Sequence, residues 1–522
     1  MELKNAPLAA ETRGPAKTIR AARVIDLINQ IEPLETTGDL FTEIGGISSD
    51  SRRISPGDIF VAMAGEHADG HDHICEAISR GAAALMVERP IQDLDPGART
   101  VPIIRVRNIL EAMGLSAACI YGYPARDMSF IGFTGTNGKT TGTYLTEHLL
   151  RRRGIPVGVV GTIEDRWPGH AQRASFTTPR ADDYQKILAR MRDAGVWCVV
   201  SEVSSHALTL HRMIGIEADI AVFSNLTMEH REFHPTMEDY YDAKRRLFTQ
   251  VLKPAGHACI NVDDPAGGRL ADELASLGRT VVRYGLSNPG CEVTARGIRA
   301  SAEGTHFTLI TPEGSVDVDS PLLGRFNVYN QLAAVSAVLH FRFPLDFIAS
   351  ALKTFSGTPG RLERIDEGQD FLALVDYAHT PDALLNVLET VRPIVRGKII
   401  TLMGCGGCRS REKREPMGRI AVLSSDFVVV TADNSRWEKT EDIIKDIEKG
   451  MVGHEDQYIV EPDRSLAILE AVRRAGPSDC VLLCGKGHED TQTEQGQTRH
   501  FDDRSECRKA IRAVLGKSTN GE

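Results

Sequence analysis

The stretch GFTGTNGKTT at 132–141 sets Gly135, Thr136, Asn137, Gly138, Lys139, Thr140 and Thr141 in the order that phosphate binding requires. Backbone N–H groups of a glycine turn, aimed from a helix N-terminus, make an anion cradle. The Lys139 ammonium adds a point charge and the Thr140 hydroxyl a magnesium ligand. The common phosphate loop has its first glycine where this chain has Phe133, so the loop is a tighter G-x-x-G-K-T. A glycine turn that merely joins a strand to a helix is the plainer reading, and Lys139-Thr140 directly behind the second glycine weighs against it. The loop alone leaves open whether the phosphate serves a switch, a movement or the activation of a small molecule.

Lys244, in TMEDYYDAKRRLFTQVL, is the second residue of chemical interest. Read as one helix over 236–252, the segment has an apolar stripe through Tyr240, Leu247 and Val251, with Tyr241 and Phe248 beside it. Lys244 falls on that stripe. An inward ammonium is costly unless paired or neutralised. Either its stem snorkels to solvent, or the lysine faces the nucleotide site with a depressed pKa or a covalent modification; spacing admits both.

These residues need a scaffold, and 522 residues are too many for one ordinary core. The alternation of apolar strands with helices predicts an α/β protein of three domains behind a disordered tail at 1–20. A small N-terminal α/β domain covers 21–125, with strands at 58–62 and 83–87 about a helix near 73–80. YGYPARDMSF reads as a linker into the central ATP-binding domain, 126–356, a doubly wound, mostly parallel sheet with strands at 129–134, 197–203 and 219–224. Their C-terminal ends deliver Glu202, Ser204 and Asn225, and in open α/β sheets that edge binds ligands. SGTPGRLER marks a second boundary, and 357–522 reads as a Rossmann-like α/β domain with strands at 371–375, 398–402, 427–431 and 480–484.

The formal net charge of -10 argues against a general nucleic-acid or anionic-membrane surface. No run of about eighteen apolar residues exists, and the first twenty or so residues lack the apolar core of a signal peptide, so a cytoplasmic protein is expected. The 10 cysteines do not suggest a disulfide framework. Cys405 and Cys408 form a C-x-x-C pair. A zinc site would need two further ligands, and Cys480 with Cys484 has the wrong spacing, so reduced thiols in a glycine turn are the expectation.

Motifs along the chain, in order, are DSRRISPGDIFVAMAG, GFTGTNGKTT, FTTP, SEVSSHAL, FSNLTMEHREFH, DAKRRLF, GRFNVYNQLAA, GTPGRLE, VDYAHTPDAL, GCGGCR, DNSR and GKGHED. Together they resemble the Mur ligases of peptidoglycan synthesis, and within that family the type that adds the third residue to UDP-N-acetylmuramoyl-L-alanyl-D-glutamate. The resemblance covers nearly all of the chain after residue 40. It implies an ATP-dependent, ADP-forming ligase: the γ-phosphoryl group passes to the D-glutamate side-chain carboxylate, and an amine attacks the acyl phosphate. Positioning and charge neutralisation dominate such a step.

Residue by residue, the resemblance implies catalytic roles for Lys139, Glu202, His230 and Lys244. Magnesium would be held by Thr140, Glu202, His230 and Lys244, the last as a carbamate formed with carbon dioxide. Besides the loop residues, ATP would meet Asn327 and Asn330 in FNVYN, Arg361 in GRLE and Asp376 in VDYAHT. Ser49, Ser51, Thr177, Thr178, Ser204 and Arg212 match positions for the UDP substrate. Arg409, Asn434, Arg436, Gly485 and Glu489 match the diaminopimelate pocket, in which two cations suit carboxylates and one acid a distal ammonium. The implied partners are small molecules only, with neither nucleic acid nor membrane, and the chain acts as a monomer. Departures from the family pattern are Leu210 for glutamine, Glu229 and Arg231 about His230, Cys408 for aspartate and Ser435 for proline. The rival readings are the same ligation with L-lysine or another diamino acid, another ligase of the wider group such as a folylpolyglutamate or D-alanyl-D-alanine-adding enzyme, and a catalytically silent nucleotide switch.

Overall fold

A computed structural model describes residues 21–65, 68–90 and 101–516. The proposed tail at 1–20 lies outside them. The chain divides into two compact units: one runs to Val293 and includes Leu332–Phe343, the other comprises Thr294–Gln331 and the chain from Pro344.

Among the described residues the first unit contains two large sheets and a short antiparallel pair, Ala22–Arg23 with Glu43–Ile44. In the five-stranded sheet, Ile103–Arg105, Ala84–Val87, Asp58–Ala62 and Gly46–Ser48 run parallel, with Glu35–Thr37 antiparallel at one edge. The eight-stranded sheet has Ser129–Thr134 near its centre, between Cys198–Glu202 and Ala218–Phe223, all parallel. Parallel strands are covered on both faces, which is why these read as unbroken apolar runs. Ser201 pairs with Gly132 and Glu202 with Phe133, so the carboxylate and the phosphate loop leave the sheet at the same level. The hairpin Glu164–Trp167 and His170–Arg173 closes one edge antiparallel.

Two sequence expectations change here. The stretch read as a linker folds into a short 3-10 turn, Pro124–Asp127, with Pro124, Ala125 and Met128 buried. The single helix expected over 236–252 is α-helical only over Met237–Arg246 and widens to a π turn over Leu247–Val251. Thr249 Oγ1 donates to the Arg245 carbonyl (3.2 Å), competing for the backbone ladder at the junction. Its start is as patterned: Thr236 and Asp239 form a reciprocal capping box.

In the second unit, a six-stranded sheet has Cys480–Cys484 between Leu372–Asp376 and Ile399–Met403, followed by Phe427–Val430 and Tyr458–Val460, all parallel; Glu363–Arg364 is antiparallel at the edge. An antiparallel meander, Thr294–Ser301, Gly304–Thr311 and Gly314–Ser320, belongs to the same unit. All 10 cysteines are free thiols; Cys405 is buried with its Sγ 3.7 Å from Met417 Sδ, whereas Cys408 is exposed. Among the described residues no helix is long and apolar enough to cross a membrane.

Candidate active site

In the first unit the phosphate loop leaves the strand Ser129–Thr134 and enters the helix Lys139–Arg152. Thr136 N–H donates to the Asn225 carbonyl (2.9 Å), Asn137 N–H to the Asn225 side chain (2.9 Å), and Ser224 Oγ to the Asn137 carbonyl (2.5 Å). The end of the neighbouring strand therefore fixes the loop's shape. Gly135 has φ 144°, and a methyl group there would overlap Ser224 Oγ, so glycine is required twice over. Phe133 replaces a glycine because the helix makes room for it: a methyl at Gly142 would stand 2.7 Å from the Phe133 ring. Gly138 caps the helix at φ 88°, and Thr140 and Thr141 are buried in its first turn.

Lys139 Nζ folds back on the loop, donating to the carbonyls of Gly135 (2.8 Å) and Thr136 (3.0 Å). Glu202 is 1% exposed. Its Oε2 accepts from the hydroxyls of Thr140 (2.8 Å) and Thr162 (3.0 Å), and its Oε1 from Thr162 N–H (2.8 Å). Lys244, also 1% exposed, does not snorkel. Its Nζ reaches the Gly135 carbonyl at 2.9 Å and lies 4.4 Å from the centre of the Tyr240 ring. Burial, then the Lys139 charge, hold the Lys244 ammonium well below the usual lysine range. The structure thus brings Thr140, Glu202, Lys139 and Lys244 to one loop.

His230 sits beside this group with φ 57°. Its Nδ1 is 3.4 Å from Glu232 Oε1, and its Nε2 is 3.9 Å from Glu229 Oε2. The His206 ring meets it edge-on at 4.7 Å, and His234 Nε2 lies 2.9 Å from Ser205 Oγ. Sequence reasoning did not single out His206 or His234, although SSHAL and EHREFH contain them; chain periodicity does not reveal that the helix Ser205–Thr209 meets the loop carrying His230 and His234. Burial, then His230 and His234, push His206 down to about 4, so its imidazole is neutral near neutral pH. Tyr240 joins the two clusters, with its ring 6.4 Å from that of His230 and its hydroxyl 3.4 Å from Thr136 Oγ1.

The residues matched to the UDP substrate lie on the same unit. Thr178 Oγ1 donates to the Glu202 carbonyl (2.9 Å) and accepts from Ser204 N–H (3.1 Å), while Thr177 Oγ1 is 3.1 Å from Thr162 Oγ1. Arg212 Nη1 donates to the Thr178 carbonyl (2.8 Å). Ser49, from the front sheet, gives both its N–H and its hydroxyl to Asp182 Oδ2 (3.1 Å each). Ser51 is not brought to this group; its hydroxyl donates to Glu76 (2.7 Å).

The second unit holds the remaining candidates. Asn327 and Asn330 are buried in the first turns of the helix Arg325–Leu339, Asn330 Nδ2 donating to Asn327 Oδ1 (3.0 Å). Asp376 accepts from Leu362 N–H (2.7 Å) and Ala378 N–H (2.8 Å). Burial raises its pKa, against the pull of Arg361. The Arg361 guanidinium lies 4.7 Å from the centre of the Tyr377 ring.

At the end of the same sheet, Asn434 Nδ2 donates to Glu489 Oε2 (2.7 Å), which Lys486 Nζ approaches at 3.3 Å. Burial, then the Asp433 charge, raise the Glu489 carboxyl. Gly485 permits this packing, since a methyl there would stand 2.6 Å from Asp433 Oδ2. Arg436, at φ 55°, donates through Nη1 to the Gly407 carbonyl (2.8 Å). Arg409 is exposed on the same glycine turn, its Cγ about as far from a methyl at Gly406 (4.0 Å) as ordinary contact allows. Cys408, in place of aspartate, is held by its backbone: its N–H donates to Glu438 (2.5 Å), and Arg414 together with that N–H lowers the Glu438 carboxyl pKa to about 2. Ser435 is buried, and its hydroxyl has no hydrogen-bond partner among the described residues.

Three family models match successive stretches: "Mur ligase family, catalytic domain" over residues 43–121, "Mur ligase middle domain" over 133–338 and "Mur ligase, glutamate ligase domain" over 360–487. A UDP-N-acetylmuramoyl-L-alanyl-D-glutamate–2,6-diaminopimelate ligase of Gloeobacter violaceus is 45% identical over 90% of this chain and 94% of its own. Its namesake in Geobacter metallireducens is 43% identical over 95% and 99%. A solved structure of an enzyme with that name aligns at a TM-score of 0.68 and 31% identity, over 95% of this chain and 100% of its own. With its three α/β domains matched in order and that identity sustained along almost its whole length, the chain belongs to the Mur ligase family.

Proposed function

We propose that this chain is the ATP-dependent ligase that joins meso-diaminopimelate to the D-glutamate side-chain carboxylate of UDP-N-acetylmuramoyl-L-alanyl-D-glutamate, releasing ADP and phosphate, in cytoplasmic assembly of the peptidoglycan precursor. The observation that carries this is the relatives' shared name at 40–45% identity over at least 90% of the chain. Functionally, 21–125 is assigned to the UDP substrate, 126–356 to ATP and 357–522 to the amino acid.

Amide formation requires an activated carboxylate. The Gly135–Thr141 loop and Lys139 bind the ATP phosphates and orient the γ-phosphoryl group toward the D-glutamate carboxylate. Thr178, Ser204 and Arg212 position that carboxylate's own chain. The acyl phosphate is then attacked by the amine, and phosphate leaves. The donor set fits magnesium: a hydroxyl on Thr140 and a carboxylate on Glu202, 2.8 Å apart at the loop, with the His230 imidazole on the adjoining cluster. Bound there, magnesium neutralises phosphate charge. Lys244 fits carbamylation, because an enclosed amine held neutral is the form that adds to carbon dioxide, and the resulting anion is a further oxygen ligand. Arg436 and Arg409 are assigned to the diamino acid's carboxylates, and Glu489 with Asn434 to its distal ammonium.

The test is an amino-acid panel with purified protein, the UDP-muramoyl-dipeptide and ATP, read by product mass. Phosphate release that needs both the nucleotide substrate and meso-diaminopimelate supports the reading. Better use of L-lysine would change the amino acid assigned, and release needing neither would indicate a switch.

A further inference from the structure

We propose that Arg180 is a further substrate-binding residue, receiving with Arg212 an oxyanion of the nucleotide-muramoyl peptide. This rests on the function proposed above, and on a juxtaposition that family motifs do not supply. Arg180 immediately precedes the helix Ala181–Asp193. Its Nη1 donates to the hydroxyl of Ser49 (3.3 Å), and its guanidinium lies 5.8 Å from the centre of the Phe176 ring. Arg212 addresses the same ring at 4.9 Å while its Nη1 is held by the Thr178 carbonyl. Residues of the front sheet, the FTTP turn and the turn after the helix Ser205–Thr209 therefore meet at one exposed aromatic ring, Phe176 being 44% exposed.

Of the acids nearby, Asp183 pairs with Arg53 (2.6 Å). Asp182 Oδ2 accepts both donors of Ser49, while its Oδ1 has no hydrogen-bond partner among the described residues and its charge offsets only part of the cost to Arg212. Among the described residues neither Arg180 nor Arg212 forms an ion pair. Burial, then the Arg180 charge, lower the pKa of Arg212, so each added cation makes the other less comfortable until an anion arrives. Guanidinium groups suit diphosphate and carboxylate alike, and the substrate named above carries both.

Arg180 is exposed, so its variants should fold. The experiment measures KM for the UDP-muramoyl-dipeptide, for ATP and for diaminopimelate in wild type, Arg180→Gln, Arg180→Ala and Arg180→Lys, with equilibrium binding of UDP alone as the probe. Gln and Ala are expected to raise KM for the nucleotide substrate roughly tenfold to a hundredfold, the span of one charge-assisted hydrogen bond. Lys, which keeps the charge without the fork, should lose less than Gln or Ala, and kcat with KM for ATP stays unchanged. A parallel loss of UDP affinity places the contact on the diphosphate; unchanged UDP affinity places it on a peptide carboxylate. Wild-type KM in Arg180→Gln overturns the proposal: if Ala alone is weakened, Arg180 serves only its hydrogen bond to Ser49, and if neither is, it touches no substrate. Wild-type turnover of the nucleotide substrate separately checks the function itself.

Discussion

Lys244 Nζ and the Gly135 carbonyl oxygen lie 2.9 Å apart, and Lys139 Nζ reaches that same oxygen at 2.8 Å. Two lysines from different helices thus converge on one acceptor in an enclosed place. A buried ammonium beside another cation is unfavourable, so Lys244 is driven toward its neutral form. Stability therefore falls as pH drops from the free-lysine range toward the lowered folded value. Lys244→Met removes this burden. The melting temperature of that variant is expected to equal or exceed wild type, while ATP-dependent turnover drops roughly a hundredfold or more if the proposed metal ligand is lost with the lysine. Labelled bicarbonate should give a carbamate carbon signal in wild type that the variant lacks. A stable, fully active Lys244→Met would remove Lys244 from the chemistry.

Glu202 accepts three hydrogen bonds, from Thr140 Oγ1, Thr162 Oγ1 and Thr162 N–H. Glu202→Gln keeps the shape but turns one acceptor into a donor facing donors. Chemical unfolding should register a loss of about 1–3 kcal/mol. Turnover should fall by two orders of magnitude or so, and magnesium titration should fail to restore it.

Much of this was legible in the chain. The phosphate loop follows from glycine, lysine and threonine at fixed offsets behind an apolar strand, and the Lys244 anomaly from its place on a helical stripe. Local pattern reached its limit where contacts join distant segments. Phe133 departs from the common loop pattern, and the room for its ring comes from Gly142 in the helix that follows. His206 meets His230 and His234 only because the helix after Cys198–Glu202 and the loop after Ala218–Phe223, strands with Ser129–Thr134 between them, come together. The π turn at Leu247–Val251 depends on a threonine hydroxyl bonding one backbone carbonyl, a choice that apolar periodicity does not record.

The proposed assignment of Glu489 and Arg436 to the diamino acid carries a testable pH dependence. Burial and the Asp433 charge raise the Glu489 carboxyl above the ordinary glutamate value. As pH falls, Glu489 therefore takes up a proton earlier than a free glutamate would, and loses its hold on a distal ammonium. KM for diaminopimelate is expected to climb through that window in wild type and to be high and flat in Glu489→Gln. Arg436→Lys should raise the same KM roughly tenfold or more, because an ammonium lacks the fork that meets a carboxylate, with little change for L-lysine. Equal effects on both amino acids would detach Arg436 from selection.

Arg464 governs that pocket from behind. Both it and Asp503 have 0% side-chain exposure, and they pair through two bonds of 2.7 and 2.6 Å. The guanidinium also donates to the carbonyls of Ala432 (3.0 Å) and Cys484 (3.0 Å), which directly precede Asp433 and Gly485. One side chain therefore sets the spacing between the strand ends that carry Asn434 with Arg436 and Gly485 with Glu489. Arg464→Met leaves the Asp503 carboxylate buried and unpaired, at a cost of about 3–5 kcal/mol by denaturant unfolding. Adding Asp503→Leu should recover most of that stability, since an apolar pair replaces a buried ionic one. The two carbonyl tethers stay lost, so the double variant should fold well yet keep a raised KM for diaminopimelate and a normal KM for ATP. Recovery of both stability and KM would reduce Arg464 to a structural support.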